Sequence, residues 1–332
     1  MHHHQVSTNY PWLSHNEHPS TPVPGPYQNM PLQPLGNIEQ RYKKFMDDCY
    51  TYYETKQAGQ GMACNRTDYE RIALTLRQPQ SMRNYTVEGF KKIRAPDQVY
   101  RLLRQFWEIN RDKLKEETFF PGFIYINHWE SPTFLVSLED QDLEGSGAIL
   151  KQHIWNAARD TIQEWTGHAL HETSLYGIRV YTTGAILSPH VDRNPLISSC
   201  IINVDQDVDE PWPLEVIGHD GVAHNVTMEP GDMVLYESHS VIHGRQFPLK
   251  GRFFANVFIH FEPIATLAGK VQEKDEGLPP YLIPGSPSEE TWREQNPESH
   301  TYLEEEIEST ESSSSMTFTH DFAIEGNLER LI

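Results

Sequence analysis

Short runs that alternate apolar and polar residues follow one another from residue 175 onward, and they constrain the fold more than any other feature of this chain. The runs cover 175–182, 198–204, 214–217, 222–228, 233–236 and 252–261. Alternation with period two is typical of strands that bury one face. Asp220-Gly221 between two of the runs favours a hairpin. Many short strands separated by turns predict a jelly roll of two packed sheets, a double-stranded β-helix.

Two helical patterns precede these strands. The first begins at Ala95-Pro96, and its apolar residues recur on one face as far as Leu114. The second begins near Ala148 and stops at Gly167, a residue that commonly ends helices. We therefore expect an α+β fold in which supporting helices on the N-terminal side pack their apolar stripes on a sheet.

A candidate metal site lies among the strands. His190 and Asp192 stand two positions apart, so in an extended segment both side chains can reach one ion. His243 can complete the set. Two imidazoles and one carboxylate occupy one face of an octahedron and leave the other positions open, which a non-haem ferrous oxygenase requires and a structural zinc site normally does not. The His-x-Asp step alone is weak, because 17 histidines and 47 acidic residues produce some such steps by chance.

The residues around the three ligands make the signal more specific. Tyr181 precedes His190 by nine positions, Gly231-Asp232 precedes a strand, and Pro248, Gly251 and Arg252 follow His243. With this frame, the stretch 176–261 resembles the catalytic domain of prolyl 4-hydroxylase alpha subunits, which belong to the 2-oxoglutarate and iron(II) dependent dioxygenases. Four other histidines lack such a frame and are expected to be ordinary surface or hydrogen-bonded residues: His219, His224, His239 and His260.

The resemblance implies an oxidoreductase that uses iron(II), 2-oxoglutarate and O2, with ascorbate as a further cofactor. His190, Asp192 and His243 would be its catalytic metal ligands, and the C–H bond that it hydroxylates would belong to peptidyl proline, as in procollagen-proline 4-dioxygenases. A protein or peptide substrate is then the expected partner. Two alternatives stay open: an oxygenase of the same class that acts on a small molecule or another side chain, and a catalytically idle jelly roll that serves as a binding module.

The resemblance also implies a site for the cosubstrate. Arg252 matches the basic residue that binds the far carboxylate of 2-oxoglutarate, and a guanidinium can do so with two hydrogen bonds, whereas Lys250 offers only a point charge. Tyr181 matches a tyrosine that lines the pocket. Asn203 departs from the family, since many members carry a tyrosine near that position. Asn256 and Phe258 share the strand parity of Arg252, which fits the same cavity as well as ordinary packing.

The two ends of the chain differ from its middle in residue composition. Residues 1–36 hold seven prolines and few aliphatic residues, which predicts a disordered tail, and 37–265 are expected to form the dioxygenase domain, with helical support in 37–167 and the jelly roll in 168–265. Residues 266–332 are expected to be an acidic linker that binds solvent or a partner. From 319 onward they resemble the first helix and turn of an ankyrin repeat, so the natural protein is expected to continue into a repeat array if that resemblance holds.

Charge and cysteine content narrow the remaining classes. The formal net charge is −20, and the absence of a basic stripe argues against nucleic acid as a partner. No apolar run is long enough to predict a membrane span. Cys49 and Cys64 are compatible with a small disulfide loop or with reduced thiols, and Cys200 lies in an apolar strand pattern. Localisation stays open: the resemblance favours the secretory pathway, and the cytoplasm is the alternative.

Overall fold

A computed structural model describes residues 37–220, 223–264 and 293–294. The predictions for the proline-rich N-terminal tail, the acidic linker and the ankyrin-like end lie outside these residues. So does Gly221, half of the predicted hairpin turn. Among the described residues, no helix is both long and apolar enough to cross a membrane.

The described chain contains four α-helices: α1 Asn37–Lys56, α2 Met62–Ser81, α3 Asp97–Asn110 and α4 Ala148–Thr166. Helix α3 begins directly after Pro96, and α4 ends at Gly167, whose φ of 72° is the left-handed conformation that glycine adopts freely. Both helices lie where the apolar periodicity predicts them. The sequence pattern does not single out α1, which has few buried positions among its described side chains, or α2, whose buried positions are mostly polar.

The strands of the described chain form two antiparallel sheets. Their bounds are β1 Phe90–Arg94, β2 Lys115–Glu116, β3 Phe134–Ser137, β4 Leu170–Ser174, β5 Gly177–Thr182, β6 Leu187–His190, β7 Ser198–Val208, β8 Leu214–Ile217, β9 Ala223–Val226, β10 Asp232–Glu237, β11 Ile242–Arg245 and β12 Gly251–Pro263. The larger sheet has the order β1-β10-β7-β12-β5-β3-β2, with β4 paired to the end of β12. The smaller sheet has the order β6-β11-β8-β9.

The order of these strands identifies the architecture. From β5 to β12 the chain passes back and forth between the sheets: β5, β7, β10 and β12 belong to the larger sheet, and β6, β8, β9 and β11 to the smaller one. Antiparallel strands that alternate in this way between two facing sheets make a double-stranded β-helix, or jelly roll. The predicted fold class, α+β with a jelly roll and supporting helices, is confirmed.

The larger sheet separates two apolar cores. Along β7, Cys200, Ile202 and Val204 face the helices α3 and α4, while Ile201 faces the interior between the sheets. This follows from the period-two alternation of a strand. The face toward the helices is aliphatic and aromatic, whereas the interior between the sheets also holds polar side chains that bear on function.

Helices α1 and α2 form a hairpin that a disulfide closes. Cys49 of α1 and Cys64 of α2 are bonded and fully buried, while Cys200 is a buried free thiol. Around the disulfide, Phe45, Tyr53 and Ile124 form a small third core. Of the two states that the sequence left open, the structure contains the disulfide.

The disulfide is expected to stabilise the helical hairpin, because it closes a loop of 15 residues in the unfolded chain. Replacing both Cys49 and Cys64 by alanine should lower the free energy of unfolding by about 3 kcal/mol, the loop-entropy value for this length. Denaturant unfolding with and without a reducing agent measures the effect. The reductant should destabilise the wild type and leave the double variant unchanged; a wild type that is indifferent to it would contradict the pairing.

Acid should destabilise the region around His128. Burial lowers the pKa of this imidazole to about 4, with Lys56 adding to the effect. The imidazole therefore takes up a proton near pH 6.5 in the unfolded chain but only near pH 4 in the folded chain. Its contribution to the free energy of unfolding is complete above pH 6.5 and is lost as the pH falls from 6.5 toward 4. The free energy of unfolding should change by up to about 1.4 kcal/mol per pH unit from this group. His128→Phe should reduce that slope; an unchanged slope would exclude His128 as its source.

Candidate metal centre

The predicted ligands meet where β6 and β11 pair. His190 ends β6, Asp192 lies just past it, and His243 on β11 is the direct partner of His190 in the strand register. Gly244 makes this pairing close, since a Cβ there would lie 2.9 Å from both the carbonyl oxygen of Leu187 and the Cα of Pro189. The ligand strands can thus approach only because the residue after His243 has no side chain.

Backbone carbonyls orient both imidazoles in the same way. Nδ1 of His190 lies 2.7 Å from the carbonyl oxygen of Ser188, and Nδ1 of His243 lies 2.8 Å from that of Val241. In each case Nδ1–H can donate to the oxygen two residues earlier, which leaves the lone pair of Nε2 available. The two Nε2 atoms lie 3.5 and 3.6 Å from the same atom, Oδ1 of Asp192.

The carboxylate of Asp192 is fully buried, and its two oxygens differ. Oδ2 faces the hydroxyl of Tyr236 at 3.5 Å and Nδ1 of His260 at 3.7 Å, whereas Oδ1 has no hydrogen-bond partner among the described residues. Burial alone would raise the pKa of Asp192, but the facing imidazoles, His243 foremost, hold it well below its ordinary value. A charged buried oxygen without a partner is costly, so this atom fits a cation.

Together these atoms suit a divalent metal. Within the described residues, His190, Asp192 and His243 are the one group of at least three such side chains whose candidate ligand atoms all lie within 4.8 Å of one another. Burial, followed by the neighbouring His243, lowers the pKa of His190, which keeps its imidazole neutral as a ligand must be. Two nitrogens and one carboxylate oxygen on one side fit ferrous iron with open positions.

A second layer of polar groups holds the ligands in place. The backbone N–H of Asp192 donates to the carbonyl of Ser238 at 2.8 Å. The hydroxyl of Ser238 lies 2.8 Å from that of Ser199, which in turn lies 2.7 Å from Nδ1 of His260. This chain of hydrogen bonds connects the larger sheet to the loop that carries Asp192. Such outer partners fix the orientation of metal ligands.

Helix α2 also reaches the ligands. Nη1 of Arg71 donates to the carbonyl of Pro189 at 2.6 Å, directly before His190. Nε2 of Gln78 donates to the carbonyl of Asp192 at 2.6 Å and to that of His239 at 2.7 Å. The sequence analysis missed both residues, because polar side chains in a helix without a clear apolar stripe carry no local signal of what they contact.

A narrow pocket adjoins the ligands. Its walls come from the interior face of both sheets and from the segment before β3; they are Phe123, Tyr125, Ile126, Arg179, Tyr181, Leu187, His190, Tyr236, His243 and Phe258. Most of these side chains are aromatic or aliphatic. A pocket of this composition, with two metal ligands in its wall, can exclude water from a reacting group.

The structure brings Tyr181 and Phe258 to this pocket but not Arg252. The Arg252 side chain is 63% exposed and forms an ion pair with Asp207 on the outer surface. Near this residue the pairing of β12 with β7 shifts between Gly251 and Phe253, so a parity count does not extend from Phe258 back to position 252. Lys250 likewise lies at the surface, 2.9 Å from Glu210.

Two other arginines occupy the interior. Arg179 on β5 lines the pocket, and Glu117 neutralises it through two hydrogen bonds of 2.8 and 2.9 Å. Arg245 on β11 is 1% exposed and packs against the rings of both Trp212 and Phe254, with 4.5 Å from its guanidinium carbon to each ring centroid.

The charge of Arg245 has no carboxylate counter-ion among the described residues. Its guanidinium donates to the carbonyl oxygen of Trp212 and to Sδ of Met228, and no carboxylate of the described chain lies within ion-pairing distance. Burial accordingly lowers its pKa to about 10. The sequence offered one usable signal for this residue: it stands two positions after His243, so it shares the same strand face.

Tyr181 lies near both of the buried arginines, Arg179 and Arg245. Its hydroxyl is buried, and no residue of the described chain meets hydrogen-bond geometry with it. Burial raises its pKa, and the opposing influence of Arg179 and Arg245 shows that both cations lie near it. A ligand with several acceptor oxygens could bind here to both the hydroxyl of Tyr181 and the guanidinium of Arg245.

Asn203 and Asn256 lie opposite each other in the pairing of β7 with β12. Both are fully buried, and Oδ1 of Asn203 and both side-chain polar atoms of Asn256 lack partners among the described residues. Asn256 also pairs with Arg179 across β5, so the three side chains share one face of the sheet. The departure from the family at position 203 thus coincides with a row of polar groups in the interior.

The competing histidines have other roles. His239 lies near the carbonyls of Ile197 and Arg83 through its two nitrogens, His219 near the carbonyl of Thr86 and the hydroxyl of Ser240. His260 faces Asp192 from outside the triad. His224 is exposed on β9. Their placement agrees with the expectation that none of them completes the ligand set.

Comparison with known proteins finds similarity in structure and none in sequence: no family model and no curated protein matches. A prolyl-4-hydroxylase from Pseudomonas putida is 16% identical with a TM-score of 0.39, and the match covers 53% of this chain and 93% of that chain. A prolyl hydroxylase from Trichoplax adhaerens, in complex with a hypoxia inducible factor oxygen degradation domain peptide fragment, is 10% identical with a TM-score of 0.40, covering 61% and 94%.

A third solved structure, HygX from Streptomyces hygroscopicus with nickel, 2-oxoglutarate and hygromycin B bound, is 11% identical with a TM-score of 0.38, covering 53% of this chain and 84% of that chain. At these identities the likeness concerns the fold alone, so the chemistry of this site has to follow from its own residues.

Proposed function

We propose that this chain is an iron(II) and 2-oxoglutarate dependent dioxygenase that hydroxylates a C–H bond. The observation that carries the proposal is the buried triad, in which the free lone pairs of two Nε2 atoms converge on an unpartnered carboxylate oxygen. Nε2 of His190, Nε2 of His243 and Oδ1 of Asp192 would hold the iron. Bound together, iron(II) and 2-oxoglutarate would supply the activation of O2, with succinate and carbon dioxide as co-products.

The protein's own residues bind and orient the reactants. The carbonyls of Ser188 and Val241 keep each Nδ1 protonated and so keep each Nε2 directed at the ion. Tyr236, with a pKa that burial raises well above its usual value, stays a neutral phenol beside Asp192. The aromatic walls of the pocket exclude water, which protects a reactive centre from side reactions.

Arg245 is the proposed anchor for the far carboxylate of 2-oxoglutarate, together with the hydroxyl of Tyr181. A buried guanidinium without a counter-ion is unfavourable by itself, and a carboxylate that offers two oxygens would neutralise it. Its place is also suitable: two residues along β11 from His243, on the same face, the two side chains start roughly 7 Å apart. Arg179 is a weaker candidate because Glu117 already neutralises it.

Arg252 does not take this role in the proposal. Its partners Asp207 and Asp209 lie at the exposed C-terminal end of β7, and its side chain would have to leave them to reach the pocket. In the structure its position favours a surface ion pair, which contributes little to stability.

Peptidyl proline is the proposed substrate, and what supports it is the resemblance of the stretch 176–261 to prolyl 4-hydroxylases. The pocket walls near His190 include Phe123 and Tyr125, whose rings offer apolar surface suited to a pyrrolidine ring. A small molecule or another side chain as the substrate is the second candidate within the same class. Ascorbate is proposed only through the resemblance.

The wild type should bind one equivalent of Fe(II) under anaerobic conditions and, with O2 and 2-oxoglutarate, release succinate in the presence of a productive substrate. His243→Ala should lose at least 100-fold in this turnover because the ligand set is incomplete. His224→Ala is the matched control, an exposed histidine on the adjacent sheet edge, and should keep both properties. A panel of proline-containing peptides, beside the same peptides with alanine for proline, measures succinate release and substrate class.

Iron-dependent turnover that survives in His243→Ala would contradict the triad. Succinate release that proline and alanine peptides stimulate equally would contradict the proline substrate while leaving the iron chemistry in place.

Arg245→Gln should raise the 2-oxoglutarate concentration needed for half-saturation at least tenfold, because a charge-assisted pair with the cosubstrate is lost. Fe(II) affinity should stay the same, as measured by anaerobic titration without 2-oxoglutarate. Arg245→Lys should lie between the two. Arg252→Ala is the matched control and should leave the requirement unchanged. If Arg252→Ala raises the requirement and Arg245→Gln does not, the anchor is assigned to the wrong arginine.

A further inference from the structure

Helix α2 presents two long polar side chains to the backbone on either side of the metal ligands. Arg71 and Gln78 are 1% and 0% exposed, and they stand seven residues apart, two turns of the helix. Residues at this spacing lie on the same face, roughly 10 Å apart along the axis. Most helices that pack on a sheet do so through apolar side chains, so a fully buried pair of this polarity needs specific partners.

Arg71 contacts the start of the ligand segment. Oδ1 of Asp68 neutralises its guanidinium through Nε at 3.2 Å, and Nη1 donates to the carbonyl of Pro189 at 2.6 Å. Tyr42 of α1 donates to the other oxygen of Asp68. The position of the peptide just before His190 is therefore tied to both helices of the disulfide-closed hairpin.

Gln78 contacts two loops at once. Its Nε2 donates to the carbonyl of Asp192, in the loop after β6, and to the carbonyl of His239, in the loop that leads to His243. The amide of Asp192 is already fixed on its other side, since its N–H donates to Ser238. One NH2 group thus uses both hydrogens to join the loop that carries the carboxylate ligand to the loop that leads into the strand of the second imidazole ligand.

We propose that Gln78, supported by Arg71, is a positioning residue that sets the separation between Asp192 and His243 and so tunes metal affinity and coordination geometry. This inference rests on the proposed metal site. Metal sites need their ligands within about 0.5 Å of the productive geometry. The strand pairing of β6 with β11 fixes His190 against His243, but Asp192 lies beyond the last residue of β6 and depends on other bonds. Gln78 supplies one of them from outside the jelly roll.

Co(II) binding to the 332-residue chain tests the proposal, with affinity from titration and geometry from the ligand-field absorption of the bound ion. Gln78→Glu keeps the shape of the side chain and removes both N–H donors. It should weaken Co(II) binding about tenfold, the lower end of the effect known for outer partners of metal ligands, and should alter the absorption spectrum. Gln78→Met, of similar length and uncharged, serves as the second variant should the carboxylate of the first impair folding.

Leu74→Ala is the matched control, since Leu74 is a buried residue of the same helix that has no side-chain donor. It should lower thermal stability at least as much as the Gln78 variants and leave Co(II) affinity and spectrum unchanged. Gln78 variants with wild-type affinity and spectrum would overturn the positioning role while the metal site stands. An equal loss of affinity in Leu74→Ala would also overturn it, because general destabilisation would then explain the effect. A wild type that binds no Co(II) would overturn the metal site itself and this inference with it.

Discussion

The pairing of β6 with β11 is the contact on which the rest of the site depends. It places His190 directly opposite His243, and the close approach that Gly244 allows brings both imidazoles to one carboxylate. The carbonyl that orients each imidazole belongs to the residue two positions before it in the chain. The jelly roll produces this pairing because the chain leaves and returns to the smaller sheet, which brings residues more than fifty positions apart in sequence together. A slip of one residue in this register would turn the side chains of one strand to the opposite face and so separate the two imidazoles.

The interior of the described chain also contains buried charged groups that lack a partner of opposite charge. Folding has buried Oδ1 of Asp192 without a hydrogen-bond partner, and the guanidinium of Arg245 without a carboxylate partner, among the described residues. Both arrangements are unfavourable in an empty protein, since ionised groups lose hydration on burial. They become favourable when a cation binds the first and an anion the second. Buried polar groups that lower the stability of the protein without its ligands are expected at a functional site.

Local pattern predicted much of the fold and of the triad, because strand alternation, helix periodicity and the two-residue spacing of His190 and Asp192 are local signals. Helices α3 and α4 and the runs that became β5, β7, β8, β10 and β12 lie where the pattern indicates them. The role of Gln78 could not be read in this way, since its partners are more than a hundred residues away in sequence. For Arg252, parity failed because a register shift at the start of β12 breaks the alternation on which the count depends. Arg245 stands two positions after His243 and so shares its strand face, but the sequence does not show that this arginine is buried rather than exposed.

A crystal structure of the protein grown anaerobically with Fe(II) and 2-oxoglutarate tests the central claim most directly, through the anomalous signal of the iron. The account predicts one strong peak bounded by Nε2 of His190, Nε2 of His243 and Oδ1 of Asp192, with the far carboxylate of 2-oxoglutarate paired to Arg245. Iron bound at other residues, or no iron between these three atoms, would contradict it.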